Sequence, residues 1–321
     1  VRAAQVVALT GPDGVTVRDV EVPVPGPDEV LVEVHAVGIA FPDLLLSRGE
    51  YQIRPEPPFT LGVDFAGVVV SGPGFEPGQR VAGYRGHGAA AEFLVAPARR
   101  VFALPDSLTF EEGAALSMNY FTAHFTLVVR GDLRAGETVL VHGAAGGVGT
   151  AALQVARGLG ARTLAVVSTD EKAAAAIAAG ADETVRLAGF KEAVLAATDG
   201  RGVDVVVDTV GGDSFTDSLR CLAPRGRLLV VGFASGTGIP EVKVNRLLLN
   251  NIDVRGVAWG AYLAAQEPDL IQRQWAELLP LVEAGVVKPL IGATYGLDEV
   301  GRALTDLDER RAIGKSVVRV R

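Results

Sequence analysis

The stretch Thr138-Val-Leu-Val-His-Gly-Ala-Ala-Gly-Gly-Val-Gly-Thr150 joins a short β-branched and aliphatic run to a glycine-rich turn. Residues 138–142 read as a buried strand and residues 147–160 as a helix. Ala151, Ala152, Val155, Ala156 and Leu159 recur there at helical spacing, and Gly160 is a C-terminal stop. Strand, tight turn and helix N-terminus make an anion site. The first helical amides have no partner within the helix, and the helix dipole favours negative charge. The spacing is that of G-x-G-x-x-G, with Ala144 in the first place and Gly146 and Gly149 in the second and third. Such a site suits the pyrophosphate of a dinucleotide.

The end of the next strand indicates which dinucleotide. An NAD site usually places Asp or Glu there for the ribose 2′-hydroxyl. This chain has Ser168, followed by Thr169-Asp170-Glu171-Lys172. Serine accepts a phosphate without repelling it, and Lys172 reaches it as a point charge. Asp170 and Glu171 argue the other way, but in a first helical turn they also complement the dipole. The expectation is NADPH.

The elements around this turn are those a dinucleotide site needs. Residues 162–168 are a second apolar strand and residues 169–179 an alanine-rich helix stopped by Gly180. Residues 203–208 and 227–232 are further buried strands, with a helix over 214–222 between them, and residues 252–256 close the series. Repeated β-α alternation with almost no polar residue inside the strands predicts a doubly wound parallel sheet covered on both faces, an α/β fold.

Residues 1–120 differ in texture. Strands are expected over 5–9, 15–20, 29–37, 62–70 and 92–95, separated by Gly11-Pro-Asp-Gly14, Pro23 to Pro27, Gly72-Pro-Gly74 and Pro77-Gly78. Short strands with frequent turns predict a β-rich, barrel-like module. Residues 113–129 then read as a helix leading into the dinucleotide domain. After residue 256 come a helix over 270–284, a strand over 287–291, a helix over 298–308 and a strand over 315–320. That tail is too short for a domain of its own, so it is expected to return to the first module. The predicted domains are 1–120 with 257–321, and 121–256 as an insertion.

Composition excludes several classes. The chain has 321 residues, 49% hydrophobic and 21% charged, enough for two cores. A net charge of −8 with no basic cluster argues against nucleic acid. The lone Cys221 cannot make an internal disulfide. With no apolar run of membrane-spanning length and no charged-then-apolar leader, the expectation is a cytoplasmic protein without a membrane partner.

The phrases Ala36-Val-Gly-Ile-Ala-Phe-Pro-Asp-Leu-Leu45, Leu61-Gly-Val-Asp-Phe-Ala-Gly67, Asn119-Tyr-Phe-Thr-Ala123, His142-Gly-Ala-Ala-Gly-Gly-Val-Gly149 and Gly232-Phe-Ala-Ser235 resemble the medium-chain dehydrogenase/reductase superfamily. Within it the chain looks like the zinc-independent NADPH:quinone oxidoreductase, zeta-crystallin-like branch. The resemblance implies a Rossmann sheet inserted into a GroES-like barrel module. Zinc alcohol dehydrogenases of the superfamily carry a ligand cysteine, a ligand histidine and a second ligand cysteine where this chain has Ala40, Val63 and Met118. None of the three is a zinc ligand, and His35, His87, His124 and His142 lie far apart in sequence. No metal is expected.

Without a Lewis acid, the acceptor must already be a good hydride acceptor. Quinones qualify, as do conjugated enals, enones and enoyl thioesters. The readings are an NADPH-dependent quinone reductase, a 2-alkenal, enone or enoyl-thioester reductase, and a redox-inactive NADPH-binding protein. By resemblance, Gly146, Gly147 and Val148 line the pyrophosphate, Gly232, Phe233 and Ala234 border the nicotinamide ribose, Asn119 and Thr122 contact the cofactor, and Lys315 stands near the nicotinamide end. Ala40, Leu45, Tyr51 and Trp259 would form the substrate pocket, with Tyr51 as hydrogen-bond or proton donor. Well-known quinone reductases have Asn at the Ala40 position, and some have Tyr at the Leu45 position. Asp43 and Asp64 are expected to be structural at their turns. The strand Asn251-Ile-Asp-Val-Arg-Gly256 is a suitable edge for pairing across a two-fold axis, so a homodimer is expected.

Overall fold

Val139, Leu140 and Val141 are fully buried, as a strand covered on both faces requires. They belong to Thr138–Val141, a central strand of a six-stranded sheet. Its strands run in the order Glu183–Arg186, Arg162–Val167, Thr138–Val141, Val203–Asp208, Leu222–Val230, Asp253–Gly256. Every neighbouring pair is parallel. The strand order reverses between Thr138–Val141 and Val203–Asp208, the place where open α/β sheets hold their ligands.

The computed structural model describes residues 1–265 and 269–321. They fall into two units, one of Val1–Asn119, Pro268–Trp275 and Pro289–Arg321, the other of Tyr120–Glu267 and Ala276–Lys288. The parallel sheet lies in the second. Leu278 and Val282, on the helix Leu270–Glu283, are buried side chains of the second unit's Ala276–Lys288 stretch. Residues 266–268 lie outside the described residues.

In the second unit the helix Gly147–Gly158 is pinned by Gln154. Its Oε1 accepts from Tyr120 Oη at 2.7 Å and from the Lys288 N–H at 2.9 Å, while Nε2 donates to the Lys288 carbonyl at 2.8 Å. At the amino end of the sheet Arg227, 6% exposed, grips Glu137 with two bonds of 2.7 Å and donates to the carbonyls of Gly131 and Asp132. Burial pushes the Glu137 carboxyl up, but the Arg227 and Arg134 hydrogen bonds hold it below the usual range.

In the first unit Glu29–Ile39 is the spine. It pairs antiparallel with Asp64–Ser71 on one side and with Lys315–Arg319 on the other, and Phe93–Pro97 also joins it. The full order is Ile291–Gly296, Lys315–Arg319, Glu29–Ile39, Asp64–Ser71, Arg80–Tyr84, Val101–Ala103. A smaller sheet orders Val15–Asp19, Arg2–Val6 and Phe59–Thr60. The two ends of the chain therefore close one β-rich module.

Several elements differ from expectation. The strand expected over 287–291 is Ile291–Gly296, since Pro289 has no N–H to donate. The helix expected over 113–129 is broken into Phe110–Ala114, Thr122–His124 and two π-helical turns, Ser117–Phe121 and Phe125–Arg130. The helix Phe41–Arg48, the strand Glu183–Arg186 and the helix Phe190–Ala197 were not anticipated.

Arg227→Met removes one partner of a buried ion pair and leaves Glu137 uncompensated. A loss of about 3 kcal/mol or more is expected from urea unfolding; an unchanged midpoint would show that the pair contributes nothing.

Candidate functional site

The glycine-rich turn is built by one close approach. A Cβ on Gly149 would stand 2.1 Å from the Gly143 carbonyl oxygen, so only glycine lets the helix Gly147–Gly158 press onto the strand end. The left-handed residue is Gly143, at φ +62°, and its carbonyl accepts the Gly146 N–H at 2.9 Å. Ala144 is not at positive φ and is fully buried, which is why alanine serves in the first motif place. Gly146 is the extended N-cap, and Gly147, Val148 and Gly149 open the first turn with no intrahelical acceptor for their amides. A Cβ on Gly146 would meet nothing within 4 Å but the Gly143 carbonyl, at 3.3 Å. The face the amides address is open, and it fits a pyrophosphate.

Two further loops are laced to this turn. A Cβ on Gly143 would lie 2.5 Å from Thr209 Oγ1, and that hydroxyl donates to the His142 carbonyl at 3.1 Å. Asp208 Oδ1 accepts the Val210 and Gly211 amides at 2.9 and 2.8 Å. Ala234 and Ser235 then donate to the Thr209 and Val210 carbonyls at 3.2 and 2.9 Å. The structure thus brings Gly146, Gly147 and Val148 and the loop of Gly232, Phe233 and Ala234 to one end of the sheet. Asp208 and Thr209, which lace them, carry one signal in the sequence: they are the last residue of a central strand and the residue straight after it.

His142 lies beneath the turn, 1% exposed, with Nε2 2.8 Å from Ser218 Oγ. Since Ser218 donates to the Ser214 carbonyl at 2.8 Å, the network assigns the Nε2 proton to His142. Burial holds its pKa below the usual histidine value, so the ring is neutral. Ser168 is exposed and Lys172 half-buried at the adjoining strand end, where Thr169 caps the helix Asp170–Ala178. Thr122 is buried, its carbonyl accepting from Thr126 Oγ1 at 2.6 Å. Trp259, 3% exposed, packs 6.1 Å from the Phe121 ring.

The first unit contains a separate buried cluster. Asp43, Asp64 and Lys315 are 0%, 0% and 3% exposed. Asp43 Oδ2 accepts the Ala40 N–H and its Oδ1 the Gly62 N–H, both at 2.9 Å. Asp64 Oδ1 takes the Met118 N–H at 2.8 Å and Oδ2 takes Lys315 Nζ at 2.6 Å. Gly38 leaves room for this, because a Cβ there would stand 2.6 Å from Lys315 Cε. Lys315 is therefore no surface lysine: its ammonium is committed to Asp64.

Burial raises the Asp43 carboxyl from the ordinary 3.8 to about 7, against the pull of the Ala40 amide and Lys315. Ala40 is buried and Leu45 half-buried on either side of Asp43. Tyr51 is half-buried, its phenol pushed up by burial and by Asp43. Tyr84, opposite Asp64 in register, is pushed up further by burial; the sequence reading did not single it out. Asn119 is 5% exposed.

The histidines are dispersed. His35 stacks on Phe110 with centroids 4.2 Å apart, and His124 Nε2 lies 2.9 Å from Glu277. Among the described residues no three His, Cys, Asp or Glu side chains converge on a point that could hold a metal ion. Nor, among them, is any helix long and apolar enough to cross a membrane.

Comparison with known proteins agrees with this geometry. The model of the zinc-binding dehydrogenase family matches residues 147–284, and that of the alcohol dehydrogenase GroES-like domain matches residues 26–106. The chain is 39% identical to quinone oxidoreductase-like protein 2 of Bos taurus over 296 residues, covering 90% of this chain and 84% of the relative. A probable oxidoreductase from Mycobacterium abscessus superposes with a TM-score of 0.91 at 43% identity, over 99% and 98% of the two chains. The quinone oxidoreductase of Thermus thermophilus, solved alone and with NADPH, superposes at 0.86 and 34% identity over the whole of both chains.

Two outcomes follow from these contacts. Gly149→Ala forces its methyl onto the Gly143 carbonyl and is expected to cost about 3 kcal/mol and to abolish dinucleotide binding, read by urea unfolding and calorimetry. Normal binding by a stable variant would refute the close approach. Asp43, with a folded pKa above its unfolded one, binds more protons folded than unfolded, so it favours folding at acid pH. That contribution falls away as pH rises from 3.8 to about 7. The stability of the wild type relative to Asp43→Asn is expected to drop by roughly 2–4 kcal/mol across that window. A difference independent of pH would contradict the assignment.

Proposed function

This chain belongs to the quinone oxidoreductase branch of the medium-chain dehydrogenase/reductase superfamily, and from that premise we propose that it passes a hydride from NADPH to a quinone without a metal ion. The donor set carries the reading. Where zinc members of the superfamily supply ligands, this chain has Ala40, Val63 and Met118, none of which can bind zinc. The nearby carboxylates are no substitute, since each oxygen of Asp43 and Asp64 already accepts a hydrogen bond. An acceptor that needs no Lewis acid is then required, and quinones are of that kind.

The open amide face of Gly146, Gly147 and Val148 fits the pyrophosphate of NADPH, and Ser168 and Lys172 would hold its 2′-phosphate. Gly232, Phe233 and Ala234, laced to the residues after Asp208, border the nicotinamide ribose in this reading. When bound, the reduced nicotinamide supplies the hydride. Asn119 and Thr122 would contact the cofactor, while Lys315, committed to Asp64, orients Asp64 and the Met118 amide. In this reading Ala40, Leu45 and Tyr51 line the substrate's path. Tyr51, a phenol that burial and Asp43 push further from ionisation, would donate a hydrogen bond to the reduced oxygen. Hydride and one proton convert the quinone to hydroquinone.

Ala40 favours a second reading. With no side-chain amide at this place, an enal, enone or enoyl thioester meets less polar competition. We also infer a homodimer. Asp253–Gly256 is the sheet's edge strand, and Val244, Leu248 and Leu249 before it are each at least 70% exposed. A monomeric mass in solution would refute it.

With 9,10-phenanthrenequinone as acceptor, kcat/KM for NADPH is expected to exceed that for NADH by about tenfold or more, and Lys172→Ala to reduce that preference by about threefold. Turnover of crotonyl-CoA or trans-2-enals with none of the quinone would decide for the second reading.

A further inference from the structure

Arg186 ends the edge strand Glu183–Arg186, in register with Val167, the last residue of the neighbouring strand. The Leu187 N–H donates to the Val167 carbonyl at 2.9 Å, so the two strand ends are fixed side by side where Ser168 emerges. The Arg186 guanidinium pairs with the carboxylate of Asp170, in the first turn of the helix Asp170–Ala178. Both are in water: the side chains are 47% and 98% exposed. Thr169 Oγ1 accepts the Lys172 N–H at 3.2 Å, which sets that turn against the strand end. One guanidinium, one carboxylate and one hydroxyl, that of Ser168, thus share the corner where a dinucleotide on this sheet presents its adenosine ribose.

Resting on the NADPH reading above, we propose that Arg186 reads the 2′-phosphate and that Asp170 is its stand-in counter-ion, displaced when the phosphate binds. The chemistry favours the exchange. A guanidinium meets a phosphate through two parallel N–H bonds, and the phosphate brings three acceptor oxygens and nearly two negative charges against the carboxylate's one. An exposed ion pair of this kind shifts an equilibrium by no more than about fivefold, so it yields to a dianion. A cofactor without the phosphate leaves the pair intact and gains nothing from Arg186. The pair therefore acts as a placeholder: it keeps the Arg186 guanidinium at the corner, at the cost of slightly lower affinity for the phosphorylated ribose, and yields Arg186 only to a ligand that can replace Asp170. The carboxylate that follows Ser168 then has a role in an NADPH site instead of contradicting one.

The test is calorimetric binding of 2′,5′-ADP and of 5′-AMP, which lacks the 2′-phosphate, to the full chain. Arg186→Ala is expected to weaken 2′,5′-ADP by about tenfold, the scale of a charge-assisted hydrogen bond, and to leave 5′-AMP unchanged, which also reports an intact fold. Asp170→Asn is expected to tighten 2′,5′-ADP by roughly two- to fivefold with no effect on 5′-AMP. If the wild type prefers 2′,5′-ADP and Arg186→Ala keeps that preference, Ser168 and Lys172 read the phosphate alone; this proposal falls and the NADPH reading stands. If Asp170→Asn weakens 2′,5′-ADP, Asp170 is not a competitor and the exchange is wrong. Equal wild-type affinity for the two probes would overturn the NADPH reading, and this proposal with it.

Discussion

The contact between Gly149 and the Gly143 carbonyl sets the geometry of the nucleotide-binding unit. Because no side chain intervenes, the helix Gly147–Gly158 starts directly on the end of a central strand, and its first amides face outward. Everything else at that end of the sheet is arranged around the contact. Gly143 takes the left-handed conformation, Thr209 closes against it, and the loop after Leu222–Val230 is held by carbonyls 209 and 210. The neutral His142 below completes the floor through Ser218 without placing a charge under the anion site. The result is preorganised: the dipoles that would meet a pyrophosphate in the proposed site are already in place.

The β-rich unit follows a different rule. It buries two carboxylates and one ammonium, and a dry interior cannot hold both carboxylates charged at little cost. The arrangement resolves this by giving Asp64 the ammonium of Lys315 and leaving Asp43 with backbone amides and a pKa of about 7. Those bonds tie the start of the helix Phe41–Arg48 to Gly62 and the Met118 backbone to Asp64. Ala40, Val63 and Met118, the three positions that matter for the metal question, are thereby held by a hydrogen-bonded frame with no metal-binding side chain among them. Breaking such a buried pair costs about 3–5 kcal/mol, whereas the many surface pairs contribute little.

The parallel sheet was legible in the sequence because its central strands are buried on both faces and so carry unbroken apolar runs. Glu183–Arg186 was not: it is an edge strand with a single buried residue, Val185, and that pattern resembles a loop. With it Arg186 was overlooked, since only strand register brings it to Ser168, 18 positions earlier in the sequence. The glycine turn was read correctly, but the reason alanine is tolerated at 144 needed the backbone angles, which put the left-handed residue at Gly143. Lys315 could be assigned only by resemblance, because its partner Asp64 lies far away in sequence and joins it through a strand added from the end of the chain. The helix between 41 and 48 was hidden because Asp43, acting back onto Ala40, provides the capping that Ala40 itself cannot.

Hydride transfer in the proposed reaction needs no metal. That is tested most directly by exhaustively chelating the purified protein, verifying by elemental analysis that it is zinc-free, and following NADPH consumption by a quinone in a rapid-mixing experiment. The expected rate equals that of untreated protein and is unaffected by added zinc. Loss of activity on chelation, restored by zinc, would contradict it.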